Sequence, residues 1–316
     1  MMKRLTLLAI CIATLFACGS SCDNGRIIDP AKNPGKTEIP DEPGTPGDEP
    51  STPGDEPGEN PGEDGKDVVT TPPAALTQWL NYKESPLDPF YQKYVNCDGL
   101  PVLSSKNVAD EALLQACYIA REMLRKHPEA REEMIKCHFR IGVVGYKENI
   151  TDLPECSVMP IWWPDTDWNA RGRGYGATEA LPVMSIGEEN LIKIPNFQER
   201  YYSESIMVHE FAHNVDFAMR RVDTKFKADI QAAFQNAQKT GLWKGTYSME
   251  NSEEYFAEGA QAWYDTWRMV VPNKSGSGTM KLKTREQLKA YDKMLYDLCA
   301  YTFPEEKLKG YHFDFE

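Results

Sequence analysis

Apolar residues recur along residues 203–220 at helical spacing, with Ile206, Met207, Phe211, Val215 and Phe217 covering most of the girth and no proline interrupting them. The same period predicts a helix over 108–125, through Leu113, Leu114, Cys117, Ile119 and Met123, with Asn107 placed to cap it. Pro128, a residue suited to a first helical turn, opens a second helix to about 136. Further helices are predicted over 224–239, stopped by Gly241, and over 247–265, with Phe256, Ala257 and Trp263 facing a core. Thr284 and Gln287 read as a capping box opening one helix to about 301, before Pro304. Short β-branched runs predict a buried strand over 139–146 and two more over 181–185 and 190–194. Residues 161–178 mix tryptophan, arginine and glycine without a period and read as an irregular surface segment, and 272–283 as a flexible loop. The fold class expected is α+β, a small mixed sheet followed by a helical C-terminal part.

The first quarter of the chain is different material. Residues 1–17 pair Lys3 and Arg4 with an apolar run too short to span a bilayer, the pattern of an export signal. Leu15-Phe16-Ala17-Cys18 resembles a lipobox, which would make Cys18 the lipidated residue of a bacterial lipoprotein at the outer membrane or cell surface; ordinary signal cleavage is the alternative. Residues 18–70 read as a Pro/Gly-rich acidic tether with too little apolar surface to offset the entropy of ordering. Between 23 and 67 the chain holds 13 acidic and 4 basic residues, a net of −9 out of −13 for the whole. With Lys3 and Arg4 in the signal, the remainder carries −6, so a nucleic-acid partner is disfavoured. Residues 71–316 are enough for one sizeable domain, expected to act as a monomer. Five cysteines fall in it, at 97, 117, 137, 156 and 299, an odd number with no C-x-x-C clip.

The candidate chemistry sits on the 203–220 helix. His209-Glu210-Phe211-Ala212-His213 places two imidazoles four residues apart on one helix face, able to reach one zinc ion, and puts Glu210 beside it to take a proton from water. The bland alternative is two buried structural histidines. A catalytic zinc needs a third protein ligand and an open position. A third histidine six residues after His213 is excluded because Met219 stands there, and His127, His138 and His312 lack partner spacing. A carboxylate is left. Glu254 and Glu258, stacked four apart, are the best candidates: Glu254 on the metal, with Glu258 and Asp216 supporting the ligands from behind.

His209 to Asp216, then Tyr247, then Glu254-Tyr255-Phe256-Ala257-Glu258 resembles the catalytic domain of anthrax lethal factor and its gluzincin relatives. A longer stretch, roughly 98–303, is similar to secreted bacterial zinc metallopeptidases. The resemblance implies a zincin-like fold, one Zn²⁺ on His209, His213 and Glu254, Glu210 as general base, and Tyr247, seven residues before Glu254, as a donor to the reacting carbonyl. It also implies that the strand nearest the metal helix binds extended substrate by backbone pairing. Glu188 and Glu189 would then be substrate contacts, or merely two charges at a turn. The activity implied is extracytoplasmic hydrolysis of peptide or protein substrates by a membrane-anchored enzyme. A surface binding lipoprotein that keeps the fold without turnover is the rival.

Overall fold

The computed structural model describes residues 67–266 and 270–313; the signal and Cys18 lie outside them. The strands are β1 (Thr77–Leu80), β2 (Lys83–Pro86), β3 (Lys93–Cys97), β4 (Leu100–Ser104), β5 (Arg140–Val144), β6 (Gly174–Tyr175), β7 (Val183–Gly187), β8 (Val270–Pro272) and β9 (Thr279–Lys281). The helices are α1 (Asp110–Leu124), α2 (Pro128–Lys136), α3 (Met159–Trp162), α4 (Trp168–Arg171), α5 (Ile206–Val222), α6 (Thr224–Thr240), α7 (Ser252–Trp263), α8 (Arg285–Tyr291) and α9 (Lys293–Thr302). The fold is therefore α+β with a small mixed sheet.

The main sheet has the order β3-β4-β5-β7-β6. Its three central strands run parallel, and β3 and β6 close the edges antiparallel. Every residue of β5 and β7 is buried, as expected of parallel strands covered on both faces. Ile141 and Val143 enter one core with α1, α2 and α5, while Val144 and Val183 turn to the other with Leu153, Met159 and Trp168. On the first face α5 also packs along α7, and α6, α8 and α9 complete the helical half.

Several sequence expectations shift. Asn107 is not the cap of α1: that position is Ala109, whose amide donates to Glu188 Oε2 at 3.0 Å, and Asn107 bonds Glu148 instead. Residues 190–194 form no strand, because Glu188–Asn190 turn in a single 3₁₀ turn whose side chains are drawn inward. The stretch 161–178 holds the end of α3, the one-turn helix α4 and the edge strand β6, and 272–283 is largely the hairpin of β8 and β9. The helix expected over 284–301 keeps its capping box but breaks at Asp292. That carboxylate caps α9 through Leu295 N and accepts from Trp243 Nε1 at 2.9 Å and Tyr255 Oη at 2.6 Å, three bonds it could not make from inside a helix. The domain also begins earlier than residue 71: Asp67 forks Arg121, and Thr70 bridges Tyr94.

Gly259 marks the tightest crossing of the helical half. A Cβ there would lie 2.7 to 2.8 Å from three side-chain atoms of Leu295, which is fully buried. Gly259→Ala should force α7 and α9 apart and cost about 1–3 kcal/mol. Thermal unfolding checks this, with a melting temperature lowered by several degrees as the expected result.

Candidate metal centre

Helix α5 starts where its first amides find partners. Ser205 Oγ accepts from Val208 N at 3.3 Å, and Asn190 Oδ1, from the turn after β7, accepts from Met207 N at 3.2 Å. One turn on, His209 and His213 share a face, their rings edge to face with centroids 4.9 Å apart. Helix α7 supplies the facing group. Asn251 caps it by accepting from Glu254 N at 2.7 Å, which fixes Glu254 in the first turn. Glu254 Oε2 then lies 3.1 Å from His209 Nε2 and 3.4 Å from His213 Nε2. The ligand atoms of His209, His213 and Glu254 all fall within 4.8 Å of one another, and the three residues are buried, so the group could hold a metal ion.

The hydrogen bonds behind His209 support that fit. His209 Nδ1 lies 3.1 Å from Gln261 Oε1, while Gln261 Nε2 donates to Ser205 O at 3.1 Å and to Glu204 Oε2 at 3.3 Å. Donating to a carbonyl fixes the amide's orientation, so its oxygen must accept, and His209 Nδ1 carries the proton. Neutral His209 then aims an Nε2 lone pair at a carboxylate oxygen 3.1 Å away. Two acceptors so placed need a proton or a metal cation between them. With no metal, burial opposes protonation of His209, but the Glu254 bond and the charges of Glu210, Glu254 and Glu258 override it and lift its pKa to about 10. Burial likewise opposes ionisation of Glu254, and the two histidines outweigh it, holding its pKa at about 2.

Glu210 is fully buried and neither of its oxygens has a hydrogen-bond partner. Burial raises its pKa to about 7, against the pull of His209 and His213. A carboxylate poised there can hold or release a proton near neutral pH. Tyr247, on the 3₁₀ turn Tyr247–Met249, donates to Glu254 Oε1 at 2.8 Å, and its ring lies 6.4 Å from that of His209. The seven-residue spacing thus closes a hydrogen bond to the candidate ligand.

Comparison with protein-family models, curated proteins and solved structures returns no match.

Two residues expected to support the histidines stand differently. Glu258 does not meet a histidine ring. Both its oxygens are buried without partners, and burial pushes its pKa up to about 8 despite the opposing charge of His209. The place behind His209 belongs to Gln261, because α7 runs back along α5: Glu254 lies level with His209 and His213, and Gln261, two turns later, level with Ser205. Asp216 pairs with Arg220 Nε at 2.7 Å and keeps Oδ1 unpartnered, while His213 Nδ1 is unpartnered too. Burial raises Asp216 to about 6, against the pull of Arg220.

Glu188 and Glu189 are structural rather than substrate-facing. Glu188 accepts from the amides of Ala109 and Tyr146, and Glu189 is forked by Arg173. The glycines in and directly after β6 have a role that composition alone did not reveal. A Cβ on Gly174 would sit 2.6 Å from Ile206 Cγ2 and 3.0 Å from Glu210 Cγ, and one on Gly176 3.2 Å from His213 Cβ. Their bareness lets the edge strand lie directly against the histidine face of α5. Ala177 N donates to Asn214 Oδ1 at 3.0 Å and locks that contact. Of the side chains grouped around the histidines, Tyr247 alone is part-exposed; His209, Glu210, His213, Glu254, Glu258 and Gln261 are all buried.

Proposed function

We propose that the chain is a zinc-dependent endopeptidase of gluzincin type with a zincin-like fold, held outside the cytoplasm by a lipid on Cys18 and acting on peptide or protein substrates. The observation that carries the reading is the pairing of a three-donor cluster with a buried, unpartnered carboxylate one position along the same helix, Glu210. Two imidazole nitrogens and one carboxylate oxygen are the donor set of a catalytic zinc that keeps a position open, and among the described residues no cysteine joins the group. Bound there, zinc would supply a Lewis acid that polarises a carbonyl and acidifies water.

The protein groups divide the remaining work. Glu210, buried beside the three donors, accepts a proton from the attacking water and delivers it to the leaving amine. Gln261 fixes the His209 tautomer so that Nε2 faces the cluster. Strand β6, the last of the sheet on the side of Glu210, is the place for an extended substrate strand once its buried edge is uncovered. Tyr247 either keeps its bond to Glu254 or turns its hydroxyl to the developing oxyanion.

That last choice separates the enzyme from a second reading, a binding protein without turnover, which the burial of all three ligands and the Tyr247 bond to Glu254 favour. Tyr247→Phe should keep its zinc and lose roughly 10²–10³ in kcat with KM little changed, the cost of one oxyanion donor. Unchanged turnover would leave Tyr247 only as a support for Glu254. The peptidase reading itself is tested by exposing the full chain to a diverse peptide library. Cleavage that a chelator abolishes and zinc restores supports it, whereas zinc-loaded protein that cuts nothing supports the binding reading.

A further inference from the structure

The seam between β3 and α1 brings together two cysteines that take no part in the metal centre. Cys97, the last residue of β3, is 2 % exposed, and Cys117, in the middle of α1, is fully buried. The Cys97 thiol donates to the Cys117 carbonyl oxygen at 3.1 Å, which sets the one thiol directly against the residue that carries the other. The elements carrying them are pinned on either side. Asp98, next to Cys97, accepts from Arg121 Nε at 3.0 Å, and Arg121 lies one helical turn after Cys117. Asp67 forks the same guanidinium at 2.6 and 2.8 Å and lies 3.7 Å from the Cys117 sulfur. None of the other three cysteines of the domain has a thiol partner of this kind among the described residues. Cys137 bonds Glu133 at 3.8 Å, while Cys156 and Cys299 lie in apolar clusters.

We infer that Cys97 and Cys117 are a disulfide-forming pair, closed during folding, that staples β3 to α1 where the chain enters the domain at Asp67. Both are free thiols in this structure. The exchange balances with an external disulfide, low-molecular-weight or protein. One cysteine, as thiolate, attacks it and releases one thiol; the second cysteine then displaces the other half. The pair has lost two protons and two electrons, and the external disulfide has become two thiols.

The timing follows from burial. The Cys97 contact and desolvation raise the Cys117 thiol far above its ordinary range, so the folded, reduced pair is a poor nucleophile. Once formed, the bond is shielded from reductant by the same packing. It would close a loop spanning 20 residues, long enough to remove substantial entropy from the unfolded chain.

The test uses the full chain, unfolded, reduced, and refolded with a mixture of oxidised and reduced glutathione. Free thiols are alkylated under denaturing conditions and the unreduced digest is mapped by mass spectrometry. A cross-linked peptide joining Cys97 to Cys117 is expected, with Cys137, Cys156 and Cys299 recovered alkylated. The oxidised protein should melt roughly 6–12 °C above the reduced protein, and that difference should vanish in the Cys97→Ala/Cys117→Ala variant. Recovery of both cysteines alkylated, linkage of either to a different cysteine, or a cross-link that leaves the melting temperature unchanged would overturn the proposal.

Discussion

Glu210→Gln should retain one zinc ion per chain while kcat falls by roughly 10²–10⁴-fold, the usual cost of losing a positioned general base. The amide is nearly the same size, so the packing of Gly174 against the Glu210 side chain is preserved. What disappears is the proton acceptor: an amide cannot take a proton from water at neutral pH. Burial raises the Glu210 carboxyl to about 7 in the metal-free site. The paired measurement is elemental analysis with single-turnover cleavage on the same sample. A variant that holds zinc and still cuts at the wild-type rate would remove Glu210 from the mechanism.

The second large effect is on metal retention. Among the described residues, Glu254→Ala removes the one carboxylate paired with both imidazoles and leaves no anion between His209 and His213. Zinc affinity should fall by more than the ~10–100-fold that losing a supporting partner costs. Gln261→Ala is the comparison, since it removes only the acceptor behind His209 Nδ1, and it should fall within that ~10–100-fold range. Glu258→Ala should have a smaller effect on affinity than Gln261→Ala, because the Glu258 oxygens touch no histidine ring. Competition with a chromophoric chelator ranks the three. An order with Glu258→Ala weakest would restore Glu258 to the position expected from its spacing.

The parts of this site that were legible in the sequence were those carried by helical periodicity. His209 and His213 share a face because α5 is regular through them, and the seven-residue step from Tyr247 to Glu254 survives as a hydrogen bond. Glu254 and Glu258 stood out as a pair by their four-residue spacing, and the resemblance to gluzincins implied Glu254 as the ligand. The supporting shell was hidden for physical reasons. Gln261 is a polar residue whose importance comes from the antiparallel registration of α7 on α5, which no local pattern encodes. Glu258 has the better chemistry for a histidine partner and the wrong position. Strand β6 escaped notice because glycines give no period, yet those glycines are needed for close approach to Ile206 and His213. The break at Asp292 was concealed by an uninterrupted helical pattern, since what stops the helix is a long-range pull from Trp243 and Tyr255. Likewise Glu188 and Glu189 look like turn charges locally and become internal anchors only when α1, β5 and Arg173 close around them.

Zinc-edge X-ray absorption on the full chain loaded with one equivalent of zinc reads the identity of the atoms around the ion, and so decides whether His209, His213 and Glu254 hold it. Two imidazole nitrogens and carboxylate and solvent oxygen are expected at about 2.0–2.2 Å, with no sulfur. The imidazole signature should weaken in the His213→Ala protein. A sulfur shell near ~2.3 Å, or an all-oxygen shell unchanged by that substitution, would place the zinc elsewhere and contradict the assignment of His209, His213 and Glu254.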